Sequence, residues 1–282
     1  MREYDGISIR MKTTLKGENR FESDAGRYAA YLETPEGRLR LDLALANLQE
    51  FLPTSQAGSL MRALDMGCGT GVTAIRLARF GFHVTLLDSS QAMLDIAQRA
   101  AHEESVGDRI VAKHGDITGL ASLFDARSFD VILCHNLLEY VDDPGSALCS
   151  AATLLRDSSG ILSVLVRSQA GEVLKTAIQS GDLAGADDAL TAEWTHESLY
   201  GGKVRLFTLE KMRNMLKTAS LNIIAERGVR IITDYLPSKV SRIEEYQRIF
   251  ELERKLGRRT EFVAAARYTH LLASAFTLKD RA

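Results

Sequence analysis

The stretch ALDMGCGTGVTAIRLA places Asp65, Gly67, Gly69 and Gly71 where a strand gives way to a helix. Glycines reach the backbone angles of a tight turn and let a ligand approach the main chain, and the helix start that follows offers N–H groups without partners. The spacing is G-x-G-x-G, shorter than the G-x-G-x-x-G/A of dinucleotide sites. An acid also stands before the glycines, where it could accept from an amino group and would repel a pyrophosphate. A nicotinamide dehydrogenase is therefore disfavoured, and a glycine turn that only packs a helix on a strand is the structural alternative. Asp88, in VTLLDSSQAMLDIA, follows the glycines by about 20 residues, the offset at which an acid chelates ribose hydroxyls. Ser89 or Ser90 beside it can cap the next helix. Asp116, in AKHGDIT, falls at the same carboxyl edge, where ligands of open α/β sheets collect; an Asx turn explains it equally well.

The elements that must position these residues follow from periodicity. Residues 1–35 are polar with no sustained period and read as an arm. Leu39, Leu41, Leu43, Leu45, Leu48 and Phe51 include helical spacings that Pro53 ends. Strand-sized apolar runs follow at 61–66, 83–87, 109–112, 129–133 and 160–166, with helix-period segments at 71–80, 89–102 and 144–156. Strands alternating with helices predict a doubly wound, mostly parallel α/β sheet whose strands are buried on both faces. Residues 168–205 break the rhythm with glycines, alanines and acids. It returns with a helix at 208–219, an apolar run at 221–232, a charged helix near 240–256 and a final strand within 262–275. The expected divisions are 1–60, an arm and cap helix; 61–167, a cofactor-binding core; 168–205, an insertion or lid; and 206–282, the rest of the sheet with basic substrate-facing segments.

Composition narrows the class. The 282 residues are 45% hydrophobic and 26% charged, which excludes disorder and fibrous repeats. No apolar run is long enough to span a membrane and no secretory h-region opens the chain, so a cytoplasmic protein is expected. Cys68, Cys134 and Cys149 are too few and too far apart for a metal site, and reduced thiols are expected. Residues 201–282 hold 17 Lys and Arg against 9 Asp and Glu, the balance of a surface that meets an anion such as nucleic acid, or of a solvated basic helix face.

The glycine loop with Asp65, Asp88 and Asp116 resembles the class I S-adenosylmethionine-dependent methyltransferases over 61–166. That resemblance implies a Rossmann-like, seven-stranded sheet with an antiparallel last strand, S-adenosylmethionine as cofactor and no metal. LETPEGRLRLDLALANL, FDVILCHNLLEYVDDPGSAL, GVRIITDYL and YQRIFELERKLGRRTEFVAAARYTHLLA narrow it further. They resemble a bacterial family that esterifies 5-carboxymethoxyuridine at the tRNA wobble position. This second resemblance implies that Arg40 pairs with the cofactor's carboxylate, that Gly67 and Cys68 line its cradle, and that His135 lies beside it; Gly69, Gly71, Ser89 and Ile117 are further candidates for binding the cofactor. Read without the resemblance, Arg40 is a solvated helix charge and His135 a capping or packing histidine.

The sequence departs from that family at 181–205, where acids and GGKVR stand in place of a lysine run and leave Lys203 and Arg205. Tyr31, Arg230, Tyr235, Arg267 and Tyr268 are the candidates for holding an anionic acceptor, in tRNA or in a small acidic or phenolic metabolite. A carboxylate acceptor is ionised at neutral pH and needs no base, so positioning carries the rate. A hydroxyl acceptor needs one, for which His135 or His270 is the candidate. A cofactor-binding module without catalysis is the alternative of another class.

Overall fold

A computed structural model describes residues 21–53, 60–197 and 201–275. The polar arm divides: residues 1–20 lie outside the described part, whereas Ala25–Leu32 form a helix, α1, that the sequence pattern did not show. Helix α2, Pro35–Gln49, starts on Thr34, whose side chain accepts from the Gly37 amide at 3.1 Å, with Pro35 in the first turn. Arg40, Leu43, Ala44 and Asn47 recur at helical spacing and are all buried, so α2 turns a cation and an amide inward along with its leucines.

The core then alternates: β1 (Arg62–Met66), α3 (Val72–Arg79), β2 (His83–Asp88), α4 (Gln91–Glu103), β3 (Ile110–His114), β4 (Val131–His135), α5 (Pro144–Leu154) and β5 (Ile161–Arg167). Next come α6 (Gln169–Ile178), α7 (Leu183–Ala189) and β6 (Trp194–His196) paired antiparallel with β7 (Lys203–Arg205), a two-stranded sheet that among the described residues joins no other strand. The chain re-enters the sheet through α8 (Leu209–Thr218), β8 (Leu221–Val229), α9 (Tyr246–Gly257) and β9 (Tyr268–Ala275).

The seven-stranded sheet runs β3-β2-β1-β4-β5-β9-β8, and only β9 is antiparallel to its neighbours. The order reverses between β1 and β4, the switch point where such sheets bind ligands. Successive strand residues feed opposite cores, as the two-residue period demands. Leu64, Met66, Ile132 and Leu271 pack on the α5 and α8 side, and Ala63, Leu133 and Leu272 pack on the α3 and α4 side. The final strand starts at Tyr268, later than the apolar run, because Thr260–Val263 is a helical turn.

Candidate functional site

The carboxyl ends of β1, β2, β4 and β5 open into a cleft of about 1510 Å³, larger than the roughly 300–1,000 Å³ of an ordinary ligand pocket and so roomy enough for two ligands. Of the residues singled out in the sequence, Tyr31, Arg40, Gly67, Gly69, Asp88, Ser89, Asp116, Ile117, His135, Arg230, Arg267 and Tyr268 line it. Asp65, Cys68, Gly71, Tyr235 and His270 are not among its lining.

The glycine loop is held from below. The Gly67 and Cys68 amides both donate to Leu87 O, at 2.8 and 3.1 Å, which ties the loop to β2 and spends those two N–H groups. Gly69 donates to Asp88 Oδ2 at 2.8 Å, and Ser90 donates to Asp88 Oδ1 at 2.9 Å. Asp88 thus fixes the loop and still borders the cleft with its remaining lone pairs. Burial raises its pKa against these backbone bonds. Asp65, buried behind it, is pushed to about 8, first by burial and then by the Asp88 charge. Two buried carboxylates in one corner make a place for a cation or a donor.

The glycines divide by role. Gly67 and Gly69 have φ values of +64° and +52° and face the cleft. Gly71 has φ +72° and presses on α4, where a β-carbon would come within 2.8 Å of Ala97 Cβ. It is the helix-packing glycine. The Cys68 side chain packs against the core and donates to Gly69 O at 3.5 Å, and burial raises its thiol well above the ordinary value. Ser90, not Ser89, caps α4, accepting from the Met93 amide at 3.2 Å. Its hydroxyl donates to Glu22 at 2.7 Å, which draws the start of the α1 segment across this corner. Asp116 both borders the cleft and caps a short turn, accepting from the Thr118 amide at 2.7 Å.

Arg40 is 5% exposed, so it is not the solvated charge of the bare sequence reading. Its Nη2 donates to the Tyr28 hydroxyl at 3.2 Å, its guanidinium lies 5.3 and 5.6 Å from the Tyr31 and Tyr268 ring centres, and its buried Nε has no hydrogen-bond partner among the described residues. Tyrosines are the groups that act on its charge. A buried cation without an acid is costly, and an anionic ligand group relieves it.

Beneath Arg40 a neutral chain crosses three strands. Asn47 Nδ2 donates to His270 Nδ1 at 3.4 Å, so His270 Nε2–H donates to Ser163 Oγ at 2.8 Å, and the Ser163 hydroxyl donates to His135 Nε2 at 2.8 Å. This order leaves the His135 proton on Nδ1. Burial, with Arg40 adding to it, lowers His135 to about 3, and burial with His135 and Arg227 lowers His270 well below its ordinary value. These lowered values disfavour either imidazole as a base; His135 borders the cleft, whereas His270, 0% exposed behind Ser163, does not reach it.

The opposite wall corrects the tail. Arg230 and Arg267 line the cleft, but Arg230 is ion-paired with Asp234, and Arg267 with Glu172 and, at 3.9 Å, with Asp234. Glu253 on α9 locks the turn after Arg230 by accepting from the Ile231, Ile232 and Thr233 amides at 2.7, 3.0 and 2.9 Å, and the Arg267 amide donates to Arg230 O at 2.9 Å. Arg230 Nη1 donates to the Tyr31 hydroxyl at 3.1 Å, which leaves the Tyr31 proton as a donor. Burial raises Tyr31 and keeps it neutral. Tyr268, buried against Arg167, Arg40, Arg230 and Arg267, is pulled below the ordinary phenol value although burial alone raises it. Tyr235 lies apart; its buried hydroxyl has no partner among the described residues, and burial with Asp234 raises its pKa to about 12.

Elsewhere the tail's cations meet acids from the first 200 residues: Arg227 and Arg258 on Glu50, Arg242 on Glu36, and Lys211 on Glu193. Much of the charge asymmetry is thus answered within the molecule. Sequence reasoning missed Tyr28, Tyr140, Arg167 and Glu139 in the lining. Only the carboxyl-edge positions of Glu139 and Arg167, after β4 and β5, could have signalled any of them.

A methyltransferase domain family matches residues 36–226. The tRNA 5-carboxymethoxyuridine methyltransferase of Escherichia coli (strain K12) is 30% identical over 254 residues, 88% of this chain and 92% of that protein. Among solved structures, a possible histamine N-methyltransferase from Thermotoga maritima superposes with a TM-score of 0.61 at 16% identity, covering 92% of this chain and 100% of that one. Burkholderia thailandensis 1,6-didemethyltoxoflavin-N1-methyltransferase, solved with S-adenosylhomocysteine, gives 0.58 at 16% identity over 95% and 90%.

Proposed function

This chain belongs to the S-adenosylmethionine-dependent methyltransferases, and from that premise we propose that it esterifies the carboxylate of 5-carboxymethoxyuridine in tRNA. The observation that carries the reading is the cleft wall of Arg40, Tyr31 and Tyr268, backed by Arg167, Arg230 and Arg267, which is built to receive anionic groups. The relative from Escherichia coli, matched over nearly its whole length, supports the same acceptor.

The residues present fit the cofactor. Arg40, whose Nε has no partner among the described residues, suits a carboxylate; Asp88 suits a ribose diol; Asp116 and Ile117 border the space for an adenine; and a β-carbon at Gly67 or Gly69 would press on Leu137 or the Tyr28 ring, both of which line the cleft. When bound there, S-adenosylmethionine supplies an electrophilic methyl carbon.

The chain's own contribution is placement and desolvation. The acceptor carboxylate is ionised at neutral pH, which agrees with a site whose histidines are held neutral. Tyr31 O–H donates to it, and Arg230 and Arg267, which border the cleft beside Tyr31 and Tyr268, offset its charge. His135 offers Nδ1–H as a fixed donor. Holding the reacting atoms in line in a dry cleft supplies up to roughly 7–11 kcal/mol of the barrier.

The test is nucleoside mass spectrometry of tRNA bearing 5-carboxymethoxyuridine after incubation with the purified chain and cofactor. Conversion to the methyl ester is expected. Unchanged tRNA, with methylation of a small acidic or phenolic compound under the same conditions, overturns the acceptor assignment.

A further inference from the structure

The hairpin in the insertion has two unlike faces. Trp194 pairs with Arg205, and His196 with Lys203, so these four side chains share one face, while Thr195 and Val204 take the other. Val204 is fully buried, which turns the first face outward. Trp194 is 42% exposed, and Trp194, His196 and Lys203 border the same cleft as the tyrosine and arginine wall. The Arg205 guanidinium lies 4.4 Å from the Trp194 ring centre, its Nη2 donates to Asp142 O at 3.2 Å, and its buried Nε has no partner among the described residues.

We propose that this hairpin face is a stacking subsite for the nucleotide next to the modified one in a single-stranded RNA loop. An indole is costly to leave in water at the mouth of a cleft, and one interleaved with cations matches what unpaired RNA presents, flat bases on an anionic backbone. Arg205 braces the indole, and Lys203 meets the phosphate. The subsite rests on the tRNA reading above and deepens it, since a free metabolite has no neighbouring base to stack. It also answers the missing lysine run: recognition by this face needs few cations because stacking supplies part of the affinity.

Trp194 is the chain's one tryptophan, so intrinsic fluorescence reports on this face directly. The full chain, with S-adenosylhomocysteine, is titrated with an anticodon stem-loop bearing 5-carboxymethoxyuridine and with the same stem-loop made abasic on both sides of that residue. Quenching by the first and not by the second is expected; equal quenching, or none by either, overturns the subsite. In turnover, Trp194→Ala should lower the ratio of kcat/KM for the stem-loop to that for free 5-carboxymethoxyuridine by about ten-fold, with Trp194→Phe restoring most of it. An unchanged ratio overturns the proposal even if the stem-loop is methylated well. If wild-type protein methylates neither stem-loop nor nucleoside, the acceptor reading is what fails.

Discussion

Replacing Arg40 with Met separates its place in the fold from its place in the site. The side chain donates to the Tyr28 hydroxyl, hydrogen-bonds Tyr268 and lies over the Tyr31 and Tyr268 rings. Together these contribute about 2–5 kcal/mol. The desolvation of a buried cation, also several kcal/mol, opposes them. The two nearly cancel, so the apo stability of Arg40→Met should change by no more than about 1–2 kcal/mol, with Tm moving about 2–4 °C per kcal/mol for a chain of this size. Cofactor binding has no such cancellation. Loss of a charge-assisted bond to the ligand carboxylate is worth about 1.5–3 kcal/mol, so Kd should rise about 10- to 150-fold. Calorimetric titration with S-adenosylhomocysteine and apo melting curves measure the two quantities side by side. An unchanged Kd, or an apo loss above about 3 kcal/mol, refutes the reasoning by making Arg40 a structural residue.

Ser163→Ala breaks the bridge between His135 and His270, and each imidazole nitrogen left unpaired costs about 1–3 kcal/mol, so the denaturation midpoint should drop; no drop removes the relay. With His135 lowered to about 3 and His270 lowered as well, the folded state binds fewer protons than the unfolded one below the ordinary histidine value of about 6.5. Their contribution to stability is therefore lost as pH falls below that value, while Asp65, raised to about 8, acts in the opposite sense above its unfolded value. NMR of the His135 ring isolates the effect, and protonation seen above about pH 5 contradicts it. Glu172→Gln leaves Arg267 without its closest acid and should cost about 3–5 kcal/mol in urea unfolding; a near-neutral result shows that the wall tolerates the charge. Gly71→Ala should destabilise through Ala97 with little change in cofactor Kd, whereas Gly69→Ala, whose β-carbon comes within 3.0 Å of the Tyr28 ring, should weaken binding; the reverse order exchanges the two roles.

What could be read from the chain depended on how far apart the cause and its partner lie. Asp88 and the glycine loop were legible because strand, turn and helix are contiguous there, and one spacing fixes both the fold and the corner it builds. The α2 helix was legible for the same reason. Arg40 was not, since nothing local says that its face turns inward; only packing against the sheet buries it. Arg230 and Arg267 line the cleft, but their pairing was not legible: Glu172 and Arg267 are 95 residues apart, and no periodicity joins them. His270 and Ser163, 107 residues apart, share a bond only because β9 lies beside β5. The α1 helix escaped because its eight residues are too short to stand out from the polar arm.

The position of β9 has a consequence for the order in which the protein is made. Synthesis delivers β1 to β5 early, but the free edge of β5 is covered only by residues 268–275, the most C-terminal strand of the described residues, which then also binds β8. Until that segment leaves the ribosome, an apolar strand edge lies open to pairing with another chain. The same segment carries Tyr268 and His270, so the closure that protects a nascent chain from aggregation also completes the cleft. A chain released short of β9 is therefore expected to be aggregation-prone and inactive together.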